Sequence, residues 1–280
     1  DVFLLWRNRP CMVVGSYQNI CRETRPARLR RKGIPVLRRI SGGGAVYHDL
    51  GNVNYSCITA QDGPVDYDKS LAPVLDALNA IGVPAEKNRA CDIAIGGAQR
   101  AAGGRLLHHG TLLFDADLSA LEEISVQGKN ECVQTKGTMS AICPVTNIRR
   151  HLPGDMDVET FMERLLAQMV PEGRRRILTA EQDAAVCRLR DEKYRSWAWT
   201  WGRTPPFTYE KSGTFAGKEF FARYQAKQGI VSAVRVDCQA IDGLLAEGLL
   251  EGAKLDPDGF AAVCAQLAGD RSEELLDLLI

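Results

Sequence analysis

Three consecutive glycines constrain the first third of this chain more than any other feature does. They are Gly42–Gly44, and strand-like runs lie on both sides of them, Ile34–Leu37 before and Ala45–His48 after. A phosphate-binding P-loop needs a lysine and a following helix, and a dinucleotide-binding turn also opens a helix, so neither pattern fits. What remains is a hairpin-like glycine loop whose bare amides can form a concavity that binds anions.

Polar and charged side chains flank this loop. Arg38 and Arg39 precede it, Ser41 adjoins it, and a Tyr-His-Asp run follows at 47–49. Guanidinium groups neutralise phosphate or carboxylate oxygens. The Ser-Gly-Gly-Gly spacing alone is equally compatible with a flexible turn. With its flanking residues, the loop favours a site for an anionic small molecule.

The bulk composition excludes several broad classes of function. The chain has 280 residues, 45% of them hydrophobic and 25% charged, and its formal net charge is zero. No global field therefore favours nucleic acid or a membrane, and no run of about 18 apolar residues predicts a membrane span. Nine scattered cysteines without a CxxC pair indicate free thiols in a reducing compartment. We therefore expect a cytoplasmic protein.

Periodicity predicts both strands and helices. Residues 53–59 alternate between apolar and polar side chains, which is typical of a half-buried strand. Residues 69–81 carry apolar side chains at helical spacing, and a second helix is expected to begin after the capping residue Asp157. Further strands are expected at Asp92–Ile95 and Leu107–Phe114. The fold class predicted is α+β.

The chain changes texture near residue 180. We expect a mixed β-sheet catalytic domain over residues 1–175 and a smaller α+β domain over residues 180–280, with strand-like runs at 213–224 and 229–236. Three of the four tryptophans lie near the junction, at positions 197, 199 and 201. We interpret this cluster as a hydrophobic anchor between the two domains.

A second group of polar residues lies in the middle of the chain. Asp92 begins a strand-like run and has a carboxylate of the kind that holds Mg²⁺, and Arg100 offers a contact for a second anion. His108 and His109 are adjacent, so on a strand they point to opposite faces and do not form a zinc site. We expect one of them to line a pocket and the other to face away.

Further motifs accompany the glycine loop in a fixed order. They are Leu5-Trp6-Arg7-Asn8, Gly15-Ser16-Tyr17-Gln18-Asn19, His108-His109-Gly110-Thr111-Leu112-Leu113, Val145-Thr146-Asn147 and the Tyr-x-Ser-Trp-x-Trp-x-x-Gly pattern of 194–202. With the Arg-Arg-x-Ser-Gly-Gly-Gly-Ala-Val block of 38–46, this order resembles the lipoate–protein ligase A family through essentially the whole chain. The resemblance implies a catalytic domain of the biotin/lipoyl ligase type with an accessory C-terminal domain.

The resemblance also implies a two-step reaction. Lipoate and Mg-ATP give lipoyl-AMP and pyrophosphate, and the lipoyl group then passes to a lysine of an acceptor, either the lipoyl domain of a 2-oxoacid dehydrogenase E2 subunit or the glycine-cleavage H-protein. The residues implied for ATP and lipoyl-AMP are Arg39, Ser41, Gly42, Gly43, Gly44, Ala45, Val46, Tyr47, Asp92 and Arg100. Those implied for lipoate are His48, Gly97, His109 and Gly110, and Asp92 is implied for Mg²⁺.

One departure concerns catalysis. The family carries an essential lysine just after the Asp strand, but here Ile95 is followed directly by Gly96, and no lysine occurs from 88 to 105. Either the protein has lost this loop, or the loop exists and is not represented in the sequence, and we favour the second interpretation. No residue is therefore assigned as catalytic, and Arg39 and Asp92 receive supporting roles.

Two alternatives stay open. A cysteine-dependent octanoyl or lipoyl transferase on the same fold would use a thiolate and no ATP, with Cys91 and Cys143 as candidates. Such transferases generally lack the large C-terminal domain. A non-catalytic lipoate-binding protein is the other alternative, since the expected lysine is missing.

Overall fold

The computed structural model of the chain describes residues 1–61, 64–87, 98–126, 130–141 and 144–280. The strands are β1 (Val2–Trp6), β2 (Cys11–Val14), β3 (Val36–Arg38), β4 (Val46–His48), β5 (Asn52–Ala60), β6 (Ala98–Ala102), β7 (Arg105–Leu113), β8 (Val133–Thr135), β9 (Phe207–Phe215), β10 (Lys218–Lys227) and β11 (Ile230–Cys238). The α-helices are α1 (Ile20–Glu23), α2 (Pro26–Arg31), α3 (Tyr67–Ala80), α4 (Leu118–Ile124), α5 (Val158–Met169), α6 (Ala180–Leu189), α7 (Trp197–Thr200), α8 (Gly243–Leu250), α9 (Pro257–Ala268) and α10 (Ser272–Leu279). The α+β class is confirmed. Within these ranges, no helix is long and apolar enough to cross a bilayer.

An antiparallel sheet of four strands, in the order β1-β5-β7-β6, supports one side of the molecule. One face of it packs on α3 and α5, where Tyr55 and Leu112 are buried with Leu71 and Phe161. Each such side chain contributes about 1.5–3 kcal/mol by leaving water. Asp157 caps α5 by accepting a hydrogen bond from the Thr160 amide, as predicted. The opposite face of the sheet carries polar side chains of β5 and β7, among them Asn54, Ser56 and His109.

A smaller sheet has the order β3-β2-β4 and explains where the glycines must lie. Strand β2 is parallel to β3 and antiparallel to β4, with Val14 opposite Arg38 and Val13 opposite Val46. The connection from β3 to β4 must therefore pass over the carboxyl end of β2. A Cβ atom on Gly15, the next residue of the chain, would lie 2.3 Å from the Gly43 carbonyl oxygen. Glycines are needed on both sides of this crossing.

The third sheet has the order β11-β10-β9-β8 and packs on the last three helices. The single strand-like run predicted at 213–224 is wrong in detail, because the chain reverses at Ala216–Gly217, and both residues have positive φ. Two successive positive φ values are typical of a tight hairpin turn. Strand β8 precedes the predicted boundary at 175–180 yet pairs with β9, and the boundary itself stays a prediction.

The tryptophan cluster joins the two regions. The indole N–H of Trp199 donates to the Arg38 carbonyl oxygen at 2.7 Å, and that of Trp197 donates to the Leu255 carbonyl oxygen at 3.1 Å. The Arg38 guanidinium is buried and returns the contact, because it donates to the carbonyl oxygen of Thr200 at 2.9 Å and the hydroxyl of Thr204 at 3.2 Å. The cluster links residues on both sides of the predicted boundary through these hydrogen bonds, and its role as a hydrophobic anchor between two domains stays a prediction.

Candidate functional site

The glycine loop is braced from inside by Arg39. Its guanidinium donates to the Gly42 carbonyl oxygen at 2.7 and 3.1 Å, to that of Gly44 at 2.6 Å and to that of Val13 at 3.3 Å. Burial lowers the pKa of Arg39 to about 10, which leaves the group charged at neutral pH. The direct phosphate contact expected of Arg39 stays a prediction, since here the loop's own carbonyls occupy the guanidinium.

These contacts set the direction of two loop amides. In a trans peptide the C=O and N–H groups point in opposite directions, so fixing the carbonyls of Gly42 and Gly44 turns the amides of Gly43 and Ala45 away from Arg39. In the part of the chain that the structure describes, the amides of Gly42, Gly43 and Gly44 have no hydrogen-bond partner. Three such donors on one short loop support the anion site that the sequence predicted, which stays a prediction; we call Gly42–Gly44 the cradle.

The amide of Ala45 is not available to a ligand in the same way. It donates to the hydroxyl of Ser140 at 2.8 Å. The expected contact of Ala45 with the nucleotide stays a prediction, and its one backbone donor is here already paired with Ser140. Sequence reasoning missed Ser140, since nothing local to it marks a residue that contacts a loop 95 positions earlier.

The two adjacent histidines separate as alternation requires. His109 lies on the open face of the central sheet, where its Nε2 and the Ser41 hydroxyl are 2.6 Å apart. His108 lies on the helix-packed face, between the Tyr55 hydroxyl at 3.1 Å and the Gln99 amide at 3.2 Å. Burial, followed by the charge of Arg39, lowers the pKa of His109 to about 4. A neutral imidazole therefore faces the cradle at pH 7.

His48 also lies beside this face, but both of its ring nitrogens are occupied. The Asn8 amide donates to Nδ1 at 3.1 Å, so the proton is on Nε2, which donates to the Thr111 hydroxyl at 3.0 Å. Thr111 then donates to the Asn54 side-chain oxygen at 2.8 Å. Burial, with Arg39 nearby, lowers the pKa of His48 to about 4. The expected lipoate contact of His48 stays a prediction, and in this arrangement both ring nitrogens are already paired.

The remaining predicted residues lie either at the start of the glycine loop or in strands, where some are buried. Arg100 is exposed and donates to the Ile40 carbonyl oxygen at 2.8 Å, which places it at the start of the loop. Tyr47 instead buries its ring in a small cluster with Met12. Strand alternation puts Val46 on the face of His48, and puts Gly110 on the helix-packed face with His108.

Several candidates lie outside the described residues. They are Asp92, Gly97, Cys91 and Cys143, together with the junction of Ile95 and Gly96. Among the residues that the structure does describe, no group of three His, Cys, Asp or Glu side chains is placed to hold a metal. Every described cysteine is a free thiol.

Comparisons with known proteins identify the family and the fold. Residues 1–170 match the family described as the lipoyl protein ligase A/B catalytic domain. The lipoate-protein ligase LplJ of Bacillus subtilis is 34% identical over 251 residues, which is 83% of this chain and 74% of that protein. The solved lipoate-protein ligase A bound with ATP has a TM-score of 0.57 at 22% identity, over 70% of this chain and 84% of that one. A bipartite lipoate protein ligase of Thermoplasma acidophilum, solved in work on its E2 lipoyl domain, has a TM-score of 0.58 at 21% identity, over 71% and 82% of the two chains.

Proposed function

This chain belongs to the lipoate–protein ligase family, and from that premise we propose how its residues activate lipoate with ATP and transfer the lipoyl group to a protein lysine. In the first step a lipoate carboxylate oxygen attacks the α-phosphorus of ATP and pyrophosphate leaves. In the second step the acceptor amine attacks the acyl carbon of lipoyl-AMP, an amide forms and AMP leaves. Both steps bring anionic oxygens together, and the site must offset their repulsion.

The observation that carries this proposal is that the amides of Gly42, Gly43 and Gly44 have no hydrogen-bond partner among the described residues. Preorganised N–H donors stabilise charge that develops on phosphate or acyl oxygens, and they need no reorganisation during the reaction. Arg39 holds the cradle in shape through its carbonyls. We assign the cradle to the phosphate and acyl oxygens of the adenylate.

Arg100 is the described cation best placed to meet the ligand directly. It is exposed and donates to the Ile40 carbonyl oxygen at the start of the loop, and its other guanidinium donors have no partner among the described residues. Lys87, the last lysine before the segment where the family has its essential one, is instead paired with Asp68 on α3. We therefore infer that Arg100 supplies positive charge at the mouth of the cradle.

The neutral pair of Ser41 and His109 borders the cradle on the sheet side. Ser41 and His109 are 2.6 Å apart, and the lowered pKa of His109 keeps its imidazole uncharged beside Arg39 at pH 7. A neutral polar wall is suited to the less charged end of the adenylate, where the lipoyl chain begins. This supports the expectation that Ser41 contacts the adenylate and His109 lines the lipoate channel.

Magnesium stays a proposal that depends on Asp92. Among the described residues, no group of three His, Cys, Asp or Glu side chains is placed to hold a metal. When bound with ATP, the ion would neutralise phosphate charge. We derive no step from it.

The acceptor and the location are also proposals. The T. acidophilum system includes an E2 lipoyl domain, which supports a lipoyl domain as the acceptor here, with the H-protein as the second candidate. A cytoplasmic location is supported by the free thiols of the described cysteines.

Lipoate-dependent exchange of pyrophosphate into ATP tests the function. We expect exchange with lipoate, none without it, and transfer to a purified lipoyl domain. Transfer from a lipoyl or octanoyl donor without exchange would instead indicate the cysteine-dependent transferase. Tight lipoate binding with neither activity would indicate the non-catalytic binding protein. Burial raises the pKa of Cys11 and Cys57 to about 11, so neither of these is a ready nucleophile.

A further inference from the structure

Glu23 is a buried carboxylate that the proposed reaction does not use. It ends the short helix α1, it is 0% exposed, and both of its oxygens contact one residue. Its Oε2 accepts the Ser140 hydroxyl at 2.5 Å, and its Oε1 accepts the Ser140 amide at 3.2 Å. An ionisable group is rarely retained in a fully buried position unless specific contacts compensate its lost hydration.

Ser140 passes this contact on to the loop. Its hydroxyl donates to Glu23 and accepts two hydrogen bonds, from the Ala45 amide at 2.8 Å and from the Gln18 side-chain amide at 3.0 Å. One donor and two lone pairs exhaust what a hydroxyl can do. A Cβ atom on Gly44 would lie 3.1 Å from the same oxygen, so the loop is packed against it.

We propose that Glu23 and Ser140 are positioning residues that hold the carboxyl-terminal end of the cradle in its ligand-binding shape. The proposal rests on the proposed function, because it assigns these residues to the same loop. The carboxylate fixes the rotation of the Ser140 hydroxyl, and the hydroxyl then fixes the Gly44–Ala45 peptide through the Ala45 amide. Neither residue touches the reacting atoms.

The loop is thereby held from two sides. Arg39 binds the carbonyls of Gly42 and Gly44, while Ser140 binds the amide of the Gly44–Ala45 peptide from the other direction. Gln18 extends the second brace, since its oxygen accepts the Gly15 amide at 2.8 Å where the loop crosses strand β2. Among the described residues, the amides of Gly42, Gly43 and Gly44 are the loop donors left for a ligand.

Ionisation of Glu23 is part of this device. The groups facing the carboxylate are Ser140, Gln18 and the charged Arg22, and burial raises its pKa in spite of them. Protonation adds a hydrogen to a carboxyl group that already accepts from the Ser140 hydroxyl and the Ser140 amide, so one of these two hydrogen bonds must break. Cradle order should therefore fall as pH falls through the raised pKa, and the acidic limb of the activity profile should depend on Glu23.

Hydrogen exchange and pyrophosphate exchange on four variants test the proposal. The variants are Glu23→Gln, Ser140→Ala, the double variant and the control Glu251→Gln. Glu251 also accepts backbone amides, those of Ala233 and Val234, but on the far strand β11. Glu23→Gln and Ser140→Ala should each speed exchange of the Ala45 amide and lower kcat/KM for ATP by about tenfold, as expected for one charge-assisted hydrogen bond. The control should do neither.

The double variant separates positioning from general destabilisation. If Glu23 acts through Ser140, the double variant is no worse than the poorer single variant, and Glu23→Gln also loses the acidic limb of the profile. Additive losses, or an Ala45 amide as protected in Glu23→Gln as in the wild type, would overturn the proposal. Since the Ala45 readout needs no turnover, a wild type without pyrophosphate exchange would refute the proposed function while leaving the positioning claim testable.

Discussion

The substitution Gly43→Ala should disorder the cradle while leaving the rest of the fold intact. Gly43 has φ of +89°, and an alanine there costs about 1–2 kcal/mol in backbone strain. The new Cβ would also lie 2.9 Å from the Arg39 Nη2 atom, which holds the carbonyls of Gly42 and Gly44. Displacing that nitrogen weakens two hydrogen bonds to a charged group, each worth about 1.5–3 kcal/mol. Part of this loss appears as cradle disorder, so we expect at least a roughly 100-fold drop in kcat/KM for pyrophosphate exchange.

Gly103→Ala is the matched control for this experiment. Gly103 has φ of +58° in the turn between β6 and β7, and a Cβ there meets nothing within 4 Å. In urea titrations Gly103→Ala should lose about 1–2 kcal/mol of stability from backbone strain and Gly43→Ala at least as much, but only Gly43→Ala should lose exchange activity. Equal activity losses in the two variants, or Gly43→Ala within twofold of the control, would refute the role given to Arg39.

Three other changes probe the same site. Arg39→Lys replaces a guanidinium that contacts two loop carbonyls with a single ammonium. Pyrophosphate exchange should fall on the order of 100-fold while Tm falls only slightly, and unchanged activity would contradict the role of Arg39 in holding the loop. Arg100→Ala removes an exposed side chain with one carbonyl contact, so the free energy of unfolding should change by less than about 0.5 kcal/mol while KM for ATP or lipoate rises about tenfold; an unchanged KM in steady-state assays would remove Arg100 from the site. The pKa of His48 is lowered from 6.5 to about 4, so between these pH values the unfolded chain binds a proton that the folded chain does not. The stability that neutral His48 contributes is therefore complete above pH 6.5 and is lost towards pH 4, up to about 3 kcal/mol. Urea titrations should show a smaller loss of unfolding free energy on acidification in His48→Gln than in the wild type.

Local patterns predicted much of the fold correctly. Alternation predicted β5 and the separation of His108 from His109, because a strand turns successive side chains to opposite faces. The triple glycine predicted the loop between two strands, and that loop crosses the end of β2 beside Gly15. The tryptophan cluster predicted the joint between the two regions, where Trp199 meets Arg38.

Long-range pairing explains what the sequence did not reveal. Glu23 and Ser140 are 117 positions apart, and neither residue belongs to a local motif that points to the other. Strand β8 has three residues and joins a sheet formed mostly by residues after 200, a partnership that no periodicity encodes. The turn at Ala216–Gly217 carries a positive φ at alanine, where composition gives only a weak signal.

A crystal structure with a non-hydrolysable lipoyl-adenylate analogue tests the central claim most directly. We expect phosphate or acyl oxygens of the analogue within hydrogen-bond distance of the amides of Gly42, Gly43 and Gly44, with Arg39 still on the loop carbonyls. An analogue bound elsewhere, with these three amides left facing solvent, would contradict it.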